Sequence, residues 1–375
     1  MTNITVLGSG FGALTTVREL RRQGVDSEIT VISPRDELHY LPSSIWIPAQ
    51  LRKGEALKIP LGNFFVGNRV NYVKASVTGL ANGGRTVVTD TGEFRNDQLV
   101  VATGGRFIRK LPGIEHALIP CEGIAVGEEI ERRLSAMDGG TIAIGFATNP
   151  KEQGAVRGGP MFEFLFIIDT ILRRQGRRER FKLIFFNPSE RPGQRLGDKA
   201  VDGLLREMAR RGIETKLGHK MVALEANKVV TEGGAFHADL ILFMPGLTGP
   251  AWLENADLPL SPGGMIEADS KCRVPGREGV WVVGDSGSFA GPDWMPKQAH
   301  QADLQAMAAA ANIAATLKGQ PPAMDFKPEL ICIVDTLDSG ILVYRSLTRN
   351  FVGPRLKIFH WLKRYFERHY LRAYR

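Results

Sequence analysis

The apolar positions open with a short unbroken run, Ile4-Thr5-Val6-Leu7, closed by Gly8. A β-branched run of this length with no alternation predicts a buried parallel strand over 3–8. From Ala13 to about Arg22 the apolar residues recur at helical spacing, and Gly24 marks the stop. A second β-branched run fills 28–32, completing a strand–helix–strand unit. The same logic predicts strands at 86–89, 98–102, 141–144, 182–186, 240–243 and 280–283. It predicts helices at 124–136, 161–175, 198–211 and 298–317. Strands alternating with helices argue an α/β fold with parallel sheets. The stretch 139–186 repeats the strand–helix–strand pattern, so the chain reads as two Rossmann-like, dinucleotide-binding units. The Pro-containing stretch 319–328 reads as a linker.

Beyond the linker, residues 356–375 mix aromatics and bases at helical spacing. Phe359, Leu362, Phe366 and Tyr370 fall on one stripe, with Trp361 and Tyr365 beside it and Lys357, Lys363, Arg364 and Arg368 mostly off it. Such a helix suits the interface of an anionic membrane. The other reading is a terminal helix packed on its own protein or on a second copy in a homo-oligomer.

Composition narrows the picture. The chain has 375 residues, 43% of them apolar, enough for two or three cores. No apolar run reaches the length of a spanning helix, and residues 1–3 lack a secretory pattern, which sets the cytoplasmic face of a membrane as the expected location. The net charge is +8, and residues 356–375 carry +5 of it. No nucleic-acid module accompanies that charge, so nucleic acid is not expected as a partner. Three cysteines, Cys121, Cys272 and Cys332, are too few for a disulfide scaffold and point instead to redox or catalytic work. No metal-ligand set is read.

The chemistry begins at Gly8-Ser9-Gly10-Phe11-Gly12-Ala13, which fits G-x-G-x-x-A between a strand and a helix. Gly8 permits the turn, Gly10 lets backbone approach a pyrophosphate, and Ala13 allows close helix–strand packing, with the helix N-terminus receiving phosphate charge. A ligand-free βα turn is the bland alternative. The acid that usually binds ribose after the second strand is replaced by Ser33, in Ser33-Pro34-Arg35. Two further strands end in Ala102-Thr103-Gly104 and in Gly284-Asp285. Together these motifs resemble the flavoproteins with two dinucleotide-binding domains. That resemblance implies FAD, with the ATG turn against the cofactor and Asp285 on the flavin ribitol.

Pro296-Lys297 before a helix resembles the P-K motif of sulfide:quinone oxidoreductases and the flavin subunit of flavocytochrome c sulfide dehydrogenases. His39-Tyr40, Pro42, Phe243-Met244-Pro245-Gly246, Gly249-Pro250, Trp252 and Gly264-Met265-Ile266 share the likeness. It implies that Lys297 and the following helix face the pyrimidine end of the flavin, stabilising its reduced anion. It also implies redox cysteines: Cys332 matches the C-terminal one and Cys121 an early one. Gly158 stands where the partner cysteine belongs, in Arg157-Gly158-Gly159-Pro160-Met161-Phe162-Glu163, so no disulfide from Cys332 to that loop forms. A buried apolar role is the alternative for Cys332 and Cys121, and the preferred reading for Cys272.

The second unit should carry its own glycine fingerprint if NADH binds there. It reads Gly145-Phe146-Ala147-Thr148-Asn149-Pro150, with one glycine in place, and the next strand ends at Asn187 rather than an acid. The expectation is a discontinuous FAD domain (1–110 and 256–325), a degenerate second domain (111–255) and a C-terminal docking region (326–375). The expected activity is electron transfer from sulfide through FAD to a quinone. NAD(P)H:quinone oxidoreduction, and a membrane-docked flavin protein without that donor chemistry, are the alternatives.

Overall fold

The computed structural model describes residues 2–375. Strand β1 (Asn3–Leu7) leads through Gly8–Gly10 into helix α1 (Phe11–Arg22), then β2 (Glu28–Ser33), β3 (Val70–Lys74) and β4 (Gln98–Val101). Gly24, at φ +74°, ends α1. Its N–H donates to the Arg21 carbonyl and that of Val25 to Leu20, closing the helix as a left-handed glycine does.

Helix α2 (Ile124–Ala136) opens the second unit. It continues with β5 (Gly140–Phe146), α3 (Gly159–Arg174), β6 (Phe181–Asn187), α4 (Asp198–Arg210), β7 (Glu214–Leu217) and β8 (Leu240–Met244). The chain then returns to the first sheet with β9 (Val280–Val282) and helix α5 (Ala299–Leu317). Residues 320–328 are irregular, in keeping with a linker.

The first sheet has the order β9-β4-β1-β2-β3 and is parallel throughout. The second has the order β7-β6-β5-β8, also parallel. In both, the order reverses beside the unit's first strand, between β1 and β4 and between β5 and β8. Ligands of open α/β sheets sit at that crevice, outside the carboxyl ends of the strands. Helix α1 packs along α5, whose Ala306, Ala309, Ala310 and Ile313 are fully buried at i, i+3, i+4 and i+7.

Past the linker the structure adds an antiparallel sheet that the hydrophobic pattern did not announce: β10 (Glu329–Asp335), β11 (Gly340–Ser346) and β12 (Asn350–Val352). Helix α6 (Lys357–Leu371) packs on it. The predicted apolar stripe of α6 is corrected in one respect. Ile358, Trp361, Leu362, Tyr365 and Phe366 are exposed, whereas Tyr370 turns inward and Phe359 is half-buried. The inward face is largely polar: His360, Lys363, Glu367 and Tyr370 each meet a partner inside. No helix among the described residues is long and apolar enough to cross a membrane.

Candidate flavin site and its two mouths

The carboxyl end of the first sheet opens on a cavity of about 1060 Å³. The turn Gly8–Gly12, the Ser33–Arg35 corner, Ala102–Gly104, Gly284–Asp285 and Pro296–Lys297 all line it, as do Cys121 and Cys332. Ala13 does not; it is fully buried behind the turn. Gly8, Ala102 and Asp285 meet at one place because the first sheet brings β1, β4 and β9 side by side.

Each glycine of the turn has a geometric reason. Gly8 sits at φ +106°, and a Cβ there would lie 2.5 Å from the Ala102 carbonyl oxygen. A Cβ on Gly12 would lie 2.8 Å from Val283 Cγ2. Gly10, the N-cap of α1, faces open space and has no side-chain cap, so the N–H groups of the first turn are free for an anion. Ser33 explains how the loop holds its shape without the usual acid. Its hydroxyl donates to Ser9 Oγ at 3.0 Å, Ser9 donates on to the Glu37 carbonyl at 3.2 Å, and Tyr72 Oη donates to the Ser33 carbonyl at 2.9 Å. Trp252 also lines the cavity, and its buried indole N–H has no partner among the described residues. An open glycine cradle and an unpartnered donor on one wall are what a dinucleotide cofactor would fill.

Charge is concentrated at the other end. Asp285 pairs with the Arg157 guanidinium, and Lys297 donates to the Gly287 carbonyl. Burial lowers the Lys297 pKa, opposed by Asp285 and Glu152 and reinforced by Arg195 and Arg157. Cys121 is buried, and its thiol is pushed up to about 11 by burial, with Arg157 pulling the other way. Burial, then Glu163, push the Cys332 thiol up to about 12, against Lys363. Neither cysteine is a ready thiolate at neutral pH. Cys272 lies apart, fully buried in the first core with its Sγ 3.4 Å from the Gln305 carbonyl.

At the second sheet the equivalent turn is gone. After β5 the chain makes an excursion over 147–158 before α3 begins. Asn149 pins that excursion, donating to the Leu247 carbonyl at 2.9 Å and the Gly263 carbonyl at 3.0 Å. Asn187, where an acid would bind ribose, donates instead to the Phe146 carbonyl at 2.8 Å. The Phe146 ring covers the N-cap of α3, so that a Cβ on Gly158 would lie 2.6 Å from it.

Residues 2–306 match the family described as pyridine nucleotide-disulphide oxidoreductase. The chain belongs to that family. It is a flavin-dependent oxidoreductase, and its cofactor is FAD. Among its relatives is the sulfide-quinone reductase of Aquifex aeolicus, 24% identical, with 98% of this chain and 90% of the relative aligned. Another is the type II NADH:quinone oxidoreductase of Staphylococcus saprophyticus, also 24% identical, over 85% and 83% of the two chains. The solved sulfide:quinone oxidoreductase of A. aeolicus superposes with a TM-score of 0.88 at 21% identity, covering 99% of this chain and 91% of that one. The Plasmodium falciparum NDH2 in complex with NADH gives 0.77 at 11% identity, covering 98% and 94%. At these identities the structural matches speak for the fold alone.

Three charged groups of this site carry no motif in the sequence. Arg157 and Glu163 lie on either side of Gly158, and Lys363 reads only as an off-stripe base. Glu163 on α3 and Lys363 on α6 form a buried ion pair, and the Asp335 N–H donates to Glu163 at 2.9 Å. Lys363 also donates to the Ile333 carbonyl at 3.1 Å. Burial raises the Glu163 pKa despite Lys363. The signal available in advance was a glutamate on an otherwise apolar helix, Met161-Phe162-Glu163-Phe164-Leu165.

Proposed function

We propose that the chain is a monotopic membrane sulfide:quinone reductase, passing electrons from sulfide through FAD to a quinone. One observation carries the quinone half: Leu362 and Phe366 are exposed on the outward face of α6 and also line the flavin cavity. The cavity therefore opens on an apolar surface. Leu347 and Phe351 of the β11–β12 hairpin are exposed as well, and α6 and its end carry Lys357, Arg364, Arg368 and Arg372. Burying the five exposed side chains of α6 in lipid is worth about 5 kcal/mol, and each base beside an anionic leaflet about 1 kcal/mol more. A hydrophobic acceptor held in the bilayer enters such a mouth without crossing water.

FAD, when bound, accepts two electrons and releases them to the acceptor. Gly8, Gly10 and Gly12 would hold its pyrophosphate, Asp285 its ribitol, and Lys297 the charge of its reduced form. Glu163 and Lys363, at the inner end of the apolar mouth, hold a proton for a quinone oxygen. Burial raises the Glu163 pKa, which eases its taking up a proton, and Glu163 and Asp335 act against burial to hold the charge of Lys363 beside it. Cys332 and Cys121 support the sulfide half, since both thiols face the same cavity.

The test is sulfide-dependent reduction of decylubiquinone by the purified holoenzyme, compared with Cys332→Ala. We expect turnover in the parent and its loss in the variant. Absence of any sulfide-driven flavin bleaching would sink the sulfide donor. The second reading, NADH as donor, draws on the NADH:quinone relatives and is opposed by the excursion at 147–158. Stopped-flow reduction of the flavin by NADH separates the two. Full FAD occupancy without turnover from any donor would favour a docked flavin protein with other chemistry.

A further inference from the structure

We propose that the second-unit wall of the flavin cavity holds an anion subsite centred on Arg195, which receives the electron donor as a small sulfur anion. The identity of the donor rests on the sulfide reading above; the charge of the subsite does not.

Arg195 lines the large cavity. Its Nη1 donates to the carbonyls of Gly154 at 3.0 Å and Met295 at 3.2 Å, and its Nη2 to that of Gln153 at 2.6 Å. Two of these carbonyls lie in the excursion after β5 and the third in the loop before α5. A guanidinium has five N–H donors, so donors remain beyond these three bonds. Arg195 forms no ion pair among the described residues, and Asp293, which acts on it from farther off, is exposed.

The neighbouring charges do not cancel it. Arg157 is matched by Asp285. Lys297 feels Asp285 and Glu152, and Glu152 is engaged by Ser261 at 2.6 Å and Ser288 at 2.9 Å. Setting aside the exposed Asp293, three cations face two carboxylates, and Arg195 is the cation left without an ion pair. A half-buried cation in that position is stabilised by an anion from outside. Polyphosphate is an unsuitable guest, because the glycine turn that would cradle it is absent from this unit. A compact sulfur anion such as hydrosulfide fits the charge. A polar route also exists: a second cavity of about 400 Å³ shares Gln153, Asp285 and Lys297 with this wall. It is lined by Glu152, Ser288 and Gln298 rather than by the apolar residues of the other mouth.

The experiment titrates the oxidised holoenzyme with thiocyanate, a redox-inert sulfur anion, following the flavin absorbance. It is repeated with Arg195→Gln and Arg195→Lys, together with FAD content and thermal midpoint. The expected result is saturable binding that weakens at least about tenfold in Arg195→Gln and stays within about threefold in Arg195→Lys, which keeps the charge. Competition by thiocyanate against sulfide-driven flavin reduction is expected in parallel. Unsaturable binding, or equal affinity in the parent and Arg195→Gln, overturns the subsite. Equal losses of FAD and thermal stability in both variants, with thiocyanate affinity unchanged in the folded fraction, overturn it in favour of a loop clamp. Arg195-dependent thiocyanate binding with no reduction by sulfide keeps the subsite and removes the sulfide reading. Rapid reduction by sulfide that ignores Arg195 does the reverse.

Discussion

The two parallel sheets share the order of their first four strands, the first adding β9 at its edge, and they part at one turn. In the first, β1 passes to α1 through three residues, and the uncapped N-terminus of α1 faces open space at Gly10. In the second, twelve residues separate β5 from α3, and an aromatic ring covers the N-cap of α3. A Rossmann sheet therefore supplies only the crevice; the turn decides whether a phosphate can enter it. The second unit has been turned to other work. Its α3 contributes Glu163 to the apolar mouth, and its excursion contributes Arg157 to the charged wall.

The largest expected effect tests that contrast. Gly8→Ala and Gly145→Ala each press a Cβ against a backbone oxygen, Ala102 O at 2.5 Å and Phe186 O at 2.6 Å. Both should lose stability, Gly8→Ala by at least the ~1–3 kcal/mol of a left-handed non-glycine residue. Only Gly8→Ala should lose the cofactor, with bound flavin falling at least about tenfold in the 450 nm to 280 nm absorbance ratio. Equal flavin loss in the two variants would mean that the second turn takes part in cofactor binding after all.

The next effect concerns how the second unit holds α6. Lys363→Ala leaves Glu163 buried without its cation, which costs about 3–5 kcal/mol in comparable buried pairs. Chemical denaturation should show that loss, and Lys363→Met with Glu163→Gln should recover most of it. A loss under about 1 kcal/mol for Lys363→Ala would show that the pair is not desolvated.

The first unit holds the same helix through Asp303, and here the effect depends on pH. Asp303 accepts hydrogen bonds from Thr15 at 2.6 Å and Tyr370 at 3.1 Å, joining α5 to α1 and α6. Burial raises its pKa to about 6 despite those bonds and the charges of Arg18 and His300. The folded pKa lies above the unfolded value of 3.8. Its stabilising contribution is thus complete below pH ~3.8 and is lost as the pH rises through about 6. The full change is about 3 kcal/mol, roughly half of it between pH 5 and pH 7.5. Unfolding free energies of the parent relative to Asp303→Asn should fall by that amount over this range. A flat difference would place the carboxylate in water rather than under α6.

How much of this was legible in advance follows from which interactions are local. The first-unit turn was legible because strand, glycines and helix are consecutive, so their spacing is their geometry. The degenerate second turn was legible for the same reason. The strand β10 reads in sequence as a cysteine in an Ile/Val run and not as part of a sheet; Leu330 to Ile333 are all apolar and all line the cavity, so no polar–apolar alternation marks it. The orientation of α6 was misjudged by about one position. A helical wheel finds the apolar side, but Glu163, Asp335, Arg52 and Asp303 decide which side faces in, and they lie between 25 and 315 residues from their partners. Arg195 stayed invisible because its partners are carbonyls, which carry no sequence signature.

The smallest effect bears on Gly158, where the family resemblance led us to expect a cysteine. Its φ of −79° suits any residue, so backbone strain does not hold glycine there. The obstacle is the buried Phe146 ring, which a Cβ at 158 would meet at 2.6 Å. That ring packs edge-on to Phe162 at 5.6 Å, and Phe162 itself stacks on Phe185 at 5.3 Å. Gly158→Cys alone should therefore cost about 1–3 kcal/mol as an overpacked site, and its thiol should stay free in a thiol titration. Adding Phe146→Leu should return part of that stability by removing the ring edge. If Gly158→Cys melts with the parent, the aromatic cluster is looser than its packing indicates, and the missing cysteine has no structural barrier to return. If the double variant alone is tolerated, Phe146 and Gly158 are one coupled substitution, and the second unit lost its thiol and capped its helix with the same ring.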